Sequence, residues 1–134
     1  MNLIRIELCD GDAPRRIEPI VRSAFVTSGA AKASQAFIDA SGRMPTFVAW
    51  VTDHGVDRDV GFVTIERQAE FAAEVRCVAV HRDFGGRGIG TRLLSHAEHR
   101  LAGSGVRSVS VKLPAFSKPD AEHTRTLHFF ESRG

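Results

Sequence analysis

A glycine-rich segment is the part of this sequence with the clearest potential for chemistry. Four glycines fall within the six residues GGRGIG at positions 85–90, and an arginine lies among them. The segment follows the apolar run VAV and precedes the amphipathic run TRLLSHAEHRL. A glycine-rich turn from a strand into a helix directs several backbone N–H groups at one point, where the helix dipole adds partial positive charge. Because a plain turn needs only one glycine, we predict an anion-binding loop, with phosphate as the expected anion.

The two most familiar phosphate-binding loops do not fit this segment. The P-loop ends in Gly-Lys-Ser/Thr, whereas Gly90 is followed directly by Thr91 with no lysine. The dinucleotide fingerprint, started at Gly86 and Gly88, would need glycine or alanine at Thr91. The next apolar run, VRSVSVKL, also offers no acid for a ribose. The loop therefore belongs to another class of phosphate site.

Composition excludes several classes of protein. The 134 residues are enough for one domain with a proper core, and no apolar run approaches the length of a membrane span or of a signal peptide core. Cys9 and Cys77 form neither a disulfide framework nor a zinc spacing, and His96 and His99 lie off the apolar stripe of their helix. The net charge of +2 is too small to indicate nucleic acid. We therefore expect a cytoplasmic protein with no metal, no nucleic acid and no membrane among its partners.

Hydrophobic periodicity predicts the elements that must position the loop. The polar segment DHGVDRD reads as a hairpin loop between two strands. Strands are predicted at residues 3–8, 46–52, 60–67, 72–80 and 106–113, and helices at residues 14–25, 30–40, 88–102 and 119–133. Hairpins followed by a strand–helix–strand crossover predict an α+β fold, in which a mixed sheet is covered by helices on both faces.

The loop and its flanks resemble motif A of the GNAT superfamily of N-acetyltransferases. That motif reads Gln/Arg-x-x-Gly-x-Gly/Ala between the fourth strand and the next helix; Gly88 and Gly90 match, and Gly85 stands where Gln/Arg is usual. The C-terminal HTRTLHFFESRG is similar to the family segment Asn-x-x-Ala-x-x-Phe-Tyr-x-x-x-Gly, with Phe130 at the tyrosine position. The resemblance implies one GNAT-like domain over residues 1–134, with a mostly antiparallel sheet.

By this resemblance the protein is an acyl-CoA-dependent N-acetyltransferase. It would move the acetyl group of acetyl-CoA to a primary amine, on a small molecule or a peptide, by direct attack in a ternary complex. The fourth strand, the glycine loop and a histidine on the last helix would bind acetyl-CoA. The residues concerned are Val78, Ala79, Val80, Gly86, Arg87, Gly88, Ile89, Gly90, Thr91 and His123.

Acetyl transfer also needs a way to remove a proton from the amine. Glu74, on the predicted fourth strand, is the candidate base by the family resemblance, and His81 at the exit of that strand is the alternative. The chain contains no tyrosine, so Phe130 cannot protonate the leaving thiolate as a tyrosine would. A GNAT-like module that binds CoA without turnover therefore remains open as the alternative function.

The sequence stops at Gly134, the glycine that matches the end of the family segment. Family members usually continue into a further pair of strands, so we expect a domain that lacks this pair. The strand at residues 106–113 would then be an exposed edge, which favours association. Since two-fold pairing is the commonest form of self-association, we predict a homodimer whose contact includes this strand.

Overall fold

The computed structural model describes residues 3–9, 11–24, 30–113 and 123–128. Its elements are β1 (Arg5–Cys9), α1 (Ala13–Ala24), α2 (Ala30–Ser41), β2 (Thr46–Asp53), β3 (Val56–Ala69), β4 (Ala72–Val80), α3 (Ile89–Gly103), β5 (Ser108–Leu113) and β6 (His123–His128). A short 3₁₀ turn, Arg82–Phe84, lies between β4 and α3. None of the described helices is long and apolar enough to cross a membrane.

The six strands form one sheet in chain order, β1 to β6. Every neighbouring pair is antiparallel except β4 and β5, which are parallel and joined by the α3 crossover. The apolar stripe of α3 packs on one face of the sheet, and α1 and α2 pack on the other. The predicted α+β fold, with a mixed and mostly antiparallel sheet between helices, is confirmed.

Gly61 permits the close approach of α3 to the sheet. A Cβ atom at this position would lie 2.9 Å from a methyl group of Leu93 and 3.2 Å from the carbonyl oxygen of Ala79. Both distances are shorter than ordinary van der Waals contact. Because Leu93 is fully buried on α3, this glycine sets how near the helix lies to β3 and β4.

The hairpin between β2 and β3 is tighter than the sequence predicts. The predicted seven-residue loop is wrong, since Asp53 pairs with Val56 and only two residues make the turn. These are His54, with φ +51°, and Gly55, with φ +78°. Two left-handed residues in a row match the twist of the flanking strands, so β3 begins at Val56 and takes up most of the polar segment.

The predicted helix at residues 119–133 is wrong where the structure describes it. His123–His128 is a strand, β6, which pairs antiparallel with β5 from Ser108↔His128 to Leu113↔His123. Residues 114–122 and 129–134, with Phe130 and Gly134, lie outside the described residues. Since β6 occupies the outer side of β5, the expected exposed edge does not exist, and the physical reason for a dimer through β5 falls with it.

Candidate active site

The turn between β4 and α3 has the conformation that its glycines allow. Gly86 has φ +76° and Gly88, the N-cap residue of α3, has φ +75°, a left-handed conformation that L side chains rarely adopt. A Cβ atom at either position would meet nothing within 4 Å. Gly85 differs, with φ −65° and an extended backbone. The turn therefore needs glycine at two positions, and the space beside them is open.

The start of α3 presents unused donors to this open space. The N–H of Arg92 is the first to donate within the helix, to the carbonyl oxygen of Gly88 at 3.0 Å. The preceding N–H groups, of Ile89, Gly90 and Thr91, have no intrahelical acceptor. Within the described residues no other acceptor is hydrogen-bonded to them. Together with the positive end of the helix dipole, they offer the hydrogen-bond donors and the positive potential that an anion requires.

The ring of Phe84 makes cation–π contacts with two arginine side chains beside the turn. The guanidinium carbon of Arg87 lies 5.1 Å from the ring centroid, and that of Arg58 lies 5.0 Å from it. The backbone N–H of Arg82 donates to Ser23 Oγ at 2.9 Å, which ties the turn to the end of α1. The ring and the α1 contact thus hold the 3₁₀ turn in place between the end of β4 and the start of α3.

A cleft of about 410 Å³ lies on the α1 side of this turn. Its lining residues are Arg15, Arg16, Pro19, Arg58, Asp59 and His81. Each of the three arginines lies within 4 Å of a carboxylate. The hydrogen bond to Asp59 raises the pKa of Arg16 above its usual range. The positive charges of the cleft are therefore already paired with carboxylates of the same chain. His81 lies there too, where its Nδ1 accepts the N–H of Asp83 at 3.1 Å.

A slot opens between β4 and β5 next to the turn. The two strands pair only from Ala72↔Ser108 to Val75↔Val111, although β4 continues to Val80. On its other side β4 stays paired with β3 as far as Gly61↔Val80. Among the described residues, the second half of β4 therefore has a paired edge toward β3 and an unpaired edge toward β5.

The direction of the β4 main chain decides which residues serve this slot. The N–H of His81 donates to the carbonyl oxygen of Val60 at 2.7 Å, so the main chain of His81 points toward β3. Because these directions alternate along an antiparallel strand, the main chain of Ala79 also points toward β3. The N–H and C=O groups of Val78 and Val80 point the opposite way, into the slot.

Glu74 lies at the closed end of the slot. Its neighbours in sequence, Ala73 and Val75, both belong to the core under α3, so its side chain points to the face that carries α1 and α2. The residue is only 8% exposed. Its Oε2 accepts a hydrogen bond from Gln68 Nε2 at 2.6 Å and lies 3.5 Å from Arg76 Nη1.

Both partners of Glu74 come from irregular points in the β3–β4 ladder. Thr64 pairs with Cys77 and Ile65 with Val75, which leaves Arg76 without an opposite residue, and a second register shift does the same for Gln68. A β-bulge re-aims a side chain out of the regular alternation, and bulges are over-represented next to active sites. Gln68 was not found from the sequence because the predicted strand ended at residue 67, whereas β3 runs to Ala69, and Arg76 was not considered although residues two apart on a strand share a face. Arg76 also lies 3.7 Å from Glu66, which faces Glu74 across the ladder.

Two histidines lie in other surroundings than the sequence predicts. His123 lies on β6, opposite Leu113, rather than on a helix; its side chain is outside what the structure describes. His96, predicted to lie off the apolar stripe of its helix, packs its ring edge-on against Phe47, with centroids 5.2 Å apart. Burial, together with the charges of Arg100 and His99, lowers the pKa of His96.

The family follows from the sequence and agrees with this geometry. The profile of the acetyltransferase (GNAT) domain matches residues 45–134, which is more than half of the chain and includes the turn and the slot. The chain belongs to the GNAT family. The resemblance on the glycine loop is thereby confirmed. No curated protein matches the sequence of this GNAT domain.

Solved structures show the same fold. A GNAT family acetyltransferase from Brucella melitensis, in complex with acetyl-CoA, has a TM-score of 0.71 and 16% identity; the match covers 96% of this chain and 90% of that one. The ribosomal-protein-S18-alanine N-acetyltransferase from Escherichia coli has a TM-score of 0.65 and 20% identity, over 82% of this chain. An IAA acetyltransferase from Bacillus cereus has a TM-score of 0.61 and 22% identity, over 81% of this chain. This GNAT domain spans 66% and 65% of the length of the last two proteins.

Proposed function

We propose that this GNAT domain transfers the acetyl group of acetyl-CoA to a primary amine, by direct attack of the amine in a ternary complex. The observation that carries the proposal is the turn at Gly86 and Gly88, whose open side faces the unused N–H groups of α3. The slot along β4 begins beside it. Family membership and the acetyl-CoA complex of the Brucella relative support the same ligand.

The turn and the slot would divide acetyl-CoA between them. The pyrophosphate would accept hydrogen bonds from the main chain of residues 86–91, and the exposed guanidinium of Arg87 would add positive charge. The pantetheine arm would lie along β4 like an added strand, hydrogen-bonded to the main chain of Val78 and Val80. The N–H of Val78 or Val80 would then be placed to stabilise the oxyanion at the thioester carbonyl.

Glu74 is the proposed general base. The amine nitrogen forms a bond to the thioester carbonyl carbon, the C–S bond breaks, and CoA leaves as a thiolate. The proton lost by the amine goes to the carboxylate, which Gln68 and Arg76 hold in place. Glu74 and Val78 are four residues apart on an extended strand, about 13 Å. The proton would therefore travel through water in the slot.

The cysteine nearest the proposed site offers little support for an acetylated enzyme intermediate. Cys77 is the cysteine on β4, and burial raises the pKa of its thiol to about 12. Such a thiol is almost entirely protonated at neutral pH, and the thiolate is the nucleophile. Direct attack should give sequential rather than ping-pong kinetics, with no acetyl group on the protein by mass spectrometry.

The second candidate is a GNAT domain that binds CoA without turnover. The absence of tyrosine from the chain favours it, because no phenol can supply a proton to the departing thiolate. An enzyme without that proton must release an unprotonated thiolate or take the proton from water. The two candidates share a binding site and differ only in catalysis.

A binding experiment tests what the two candidates share. Thermal unfolding would be followed while CoA, acetyl-CoA, ATP or NAD is added. A ligand that binds only the folded protein at one hundred times its Kd stabilises it by about 2.7 kcal/mol. We expect CoA and acetyl-CoA to raise the Tm and NAD to leave it unchanged. No shift with either CoA ligand would exclude both candidates.

A catalytic experiment separates them. CoA release from acetyl-CoA would be measured with a panel of small amines and peptides, for the parent, Glu74→Gln and Glu66→Gln. Glu66 is the matched control, since it faces Glu74 across the ladder and lies near the same arginine. We expect Glu74→Gln to lower kcat by about 10²–10⁴-fold, most at low pH where the amine is hardest to deprotonate. Binding without release by the parent identifies the non-catalytic module, and equal rates for both variants remove Glu74 from the mechanism.

A further inference from the structure

The outer edge of β1 is a second surface of interest. β1 pairs with β2 without interruption from Arg5↔Trp50 to Cys9↔Thr46, and it is the first strand of the sheet. In the described part of the chain no strand lies on its other side. Natural edges are blunted by charged side chains, above all lysine, by proline or by a bulge. The β1 sequence RIELC has no lysine, proline or bulge, and its two charged residues, Arg5 and Glu7, have opposite signs. Its outward N–H and C=O groups are therefore available for another strand.

The two faces of β1 differ in chemistry. Ile4 and Ile6 pack against the core under α3, so alternation places Leu8 on that face as well, where it is 47% exposed. Arg5 and Glu7 lie on the opposite face, which carries α1 and α2. The edge thus offers an apolar row on one face and a row with one positive and one negative charge on the other.

We propose that β1 pairs antiparallel with β1 of a second copy, about a two-fold axis through Ile6, so that the two sheets become one. In this register Arg5 stands opposite Glu7 of the second copy, and the same pair recurs on the other side of the axis. Directly opposite residues of an antiparallel pair lie on the same face with their Cβ atoms about 5 Å apart. Leu8 then stands opposite Ile4 of the second copy and is covered.

The charges select this register over its neighbours. An axis through Arg5 would place arginine opposite arginine, and an axis through Glu7 would place glutamate opposite glutamate. Like charges directly opposite each other destabilise a strand pair, whereas opposite charges stabilise it. The axis through Ile6 also gives the longest overlap of residues 3–9. A self-complementary surface is what a two-fold contact requires.

Both charged side chains are already ordered by contacts within the chain. The guanidinium carbon of Arg5 lies 5.0 Å from the centroid of the Trp50 ring, and Glu7 Oε1 accepts a hydrogen bond of 2.8 Å from Arg16 Nη1. Side chains that are ordered before association lose less conformational entropy when they pair. The proposal rests on β1 alone and is independent of acetyl transfer.

Charge reversal tests this contact by sedimentation velocity over a range of protein concentrations. We expect the parent to dimerise, and Arg5→Glu and Glu7→Arg each to weaken self-association by about tenfold or more, because each sets like charges opposite each other. An equimolar mixture of the two variants should recover the association, since every pair across the axis is then opposite in charge. Arg92→Glu, on exposed α3 surface, changes the charge equally and should not affect association.

Circular dichroism would check that each variant folds. If Glu7→Arg does not fold, because Glu7 also binds Arg16, Glu7→Gln replaces it; its mixture with Arg5→Glu should associate more strongly than Arg5→Glu alone. A parent that stays monomeric at high micromolar concentration would overturn the proposal. Single variants that dimerise like the parent, or a mixture that fails to recover, would place any dimer contact elsewhere.

Discussion

The same change, glycine to alanine, should have opposite effects at two positions in the turn before α3. Gly88 has φ +75°, where an L residue costs about 1–2 kcal/mol. Gly90 lies inside the first turn of α3, where alanine is favoured over glycine by about 0.5–1 kcal/mol. The added methyl group of Gly90→Ala would lie 3.7 Å from a methyl group of Val80, which is ordinary contact. Gly88→Ala should therefore destabilise the fold and Gly90→Ala should stabilise it.

The expected separation between the two variants is about 2 kcal/mol in free energy of unfolding. For a domain of this size it corresponds to roughly 6–10 °C in Tm. Urea unfolding and thermal unfolding, both followed by circular dichroism, would measure it. Gly85→Ala is the control, because Gly85 has φ −65° and its added Cβ would lie 3.7 Å from the carbonyl oxygen of Arg82, so no strain is expected.

Equal effects at Gly88 and Gly90 would refute the conformation described for the turn, whatever the ligand is. CoA titration of the same variants tests whether the turn binds the pyrophosphate. The methyl group at position 88 would enter the open space proposed for the pyrophosphate, so Gly88→Ala should lose most of the Tm increase that CoA gives the parent. Gly90→Ala should keep that increase. CoA binding by Gly88→Ala at parental strength would place the pyrophosphate elsewhere.

Three further predictions follow from buried groups. The lowered pKa of His96 means that the folded protein resists a proton that the unfolded chain accepts near pH 6.5, so stability should fall as the pH drops below that value. In urea titrations at pH 7 and pH 5, His96→Leu should reduce this loss, and His54→Asn, the control in the exposed turn between β2 and β3, should leave it in place. Equal losses in parent and His96→Leu would contradict the assignment. Ellman's reagent should label Cys9 in the native protein and Cys77 only at the rate of unfolding, because burial raises the pKa of the Cys77 thiol to about 12; immediate reaction of both thiols would show that β4 is open. Gly61→Ala should cost about 1–3 kcal/mol in urea unfolding by overpacking α3 against the sheet, and an unchanged midpoint would mean that α3 lies farther from β3.

Local sequence signals were sufficient for the elements that build the loop. The predicted strand at residues 72–80 coincides with β4, and α3 begins and ends within one residue of its predicted bounds. These elements carry their own signals, an apolar run and an amphipathic stripe bounded by glycines. The family itself was indicated by the resemblance of Gly88, Gly90 and their flanks to a family motif, and Gly88 is one of the two positions where the left-handed backbone calls for glycine.

The features that the sequence did not predict depend on contacts between residues that are distant along the chain. HTRTLH has threonine at alternate positions, which suits a strand, but a strand forms there only because β5 offers a free edge. The surroundings of Glu74 were hidden for a similar reason. Gln68 lies beyond the predicted end of its strand, and its contact with the carboxylate depends on how β3 pairs with β4, which neither strand alone shows. Arg76 shares a face with Glu74, as residues two apart on a strand do, but nothing in the sequence marks it as a partner.

The order of the strands in the sheet has a consequence for how the domain folds and moves. Each strand from β2 to β6 lies beside the strand that precedes it in the chain. The helices α1 and α2 separate β1 from β2, whereas β2, β3 and β4 form a continuous meander. Contacts between segments close in sequence form early, since they close short loops, so we expect the meander to nucleate folding. The pairing of β4 with β5 must wait until the whole α3 crossover has folded. The slot proposed for acetyl-CoA therefore lies where the sheet forms late, and its two sides can separate or close without breaking a hairpin.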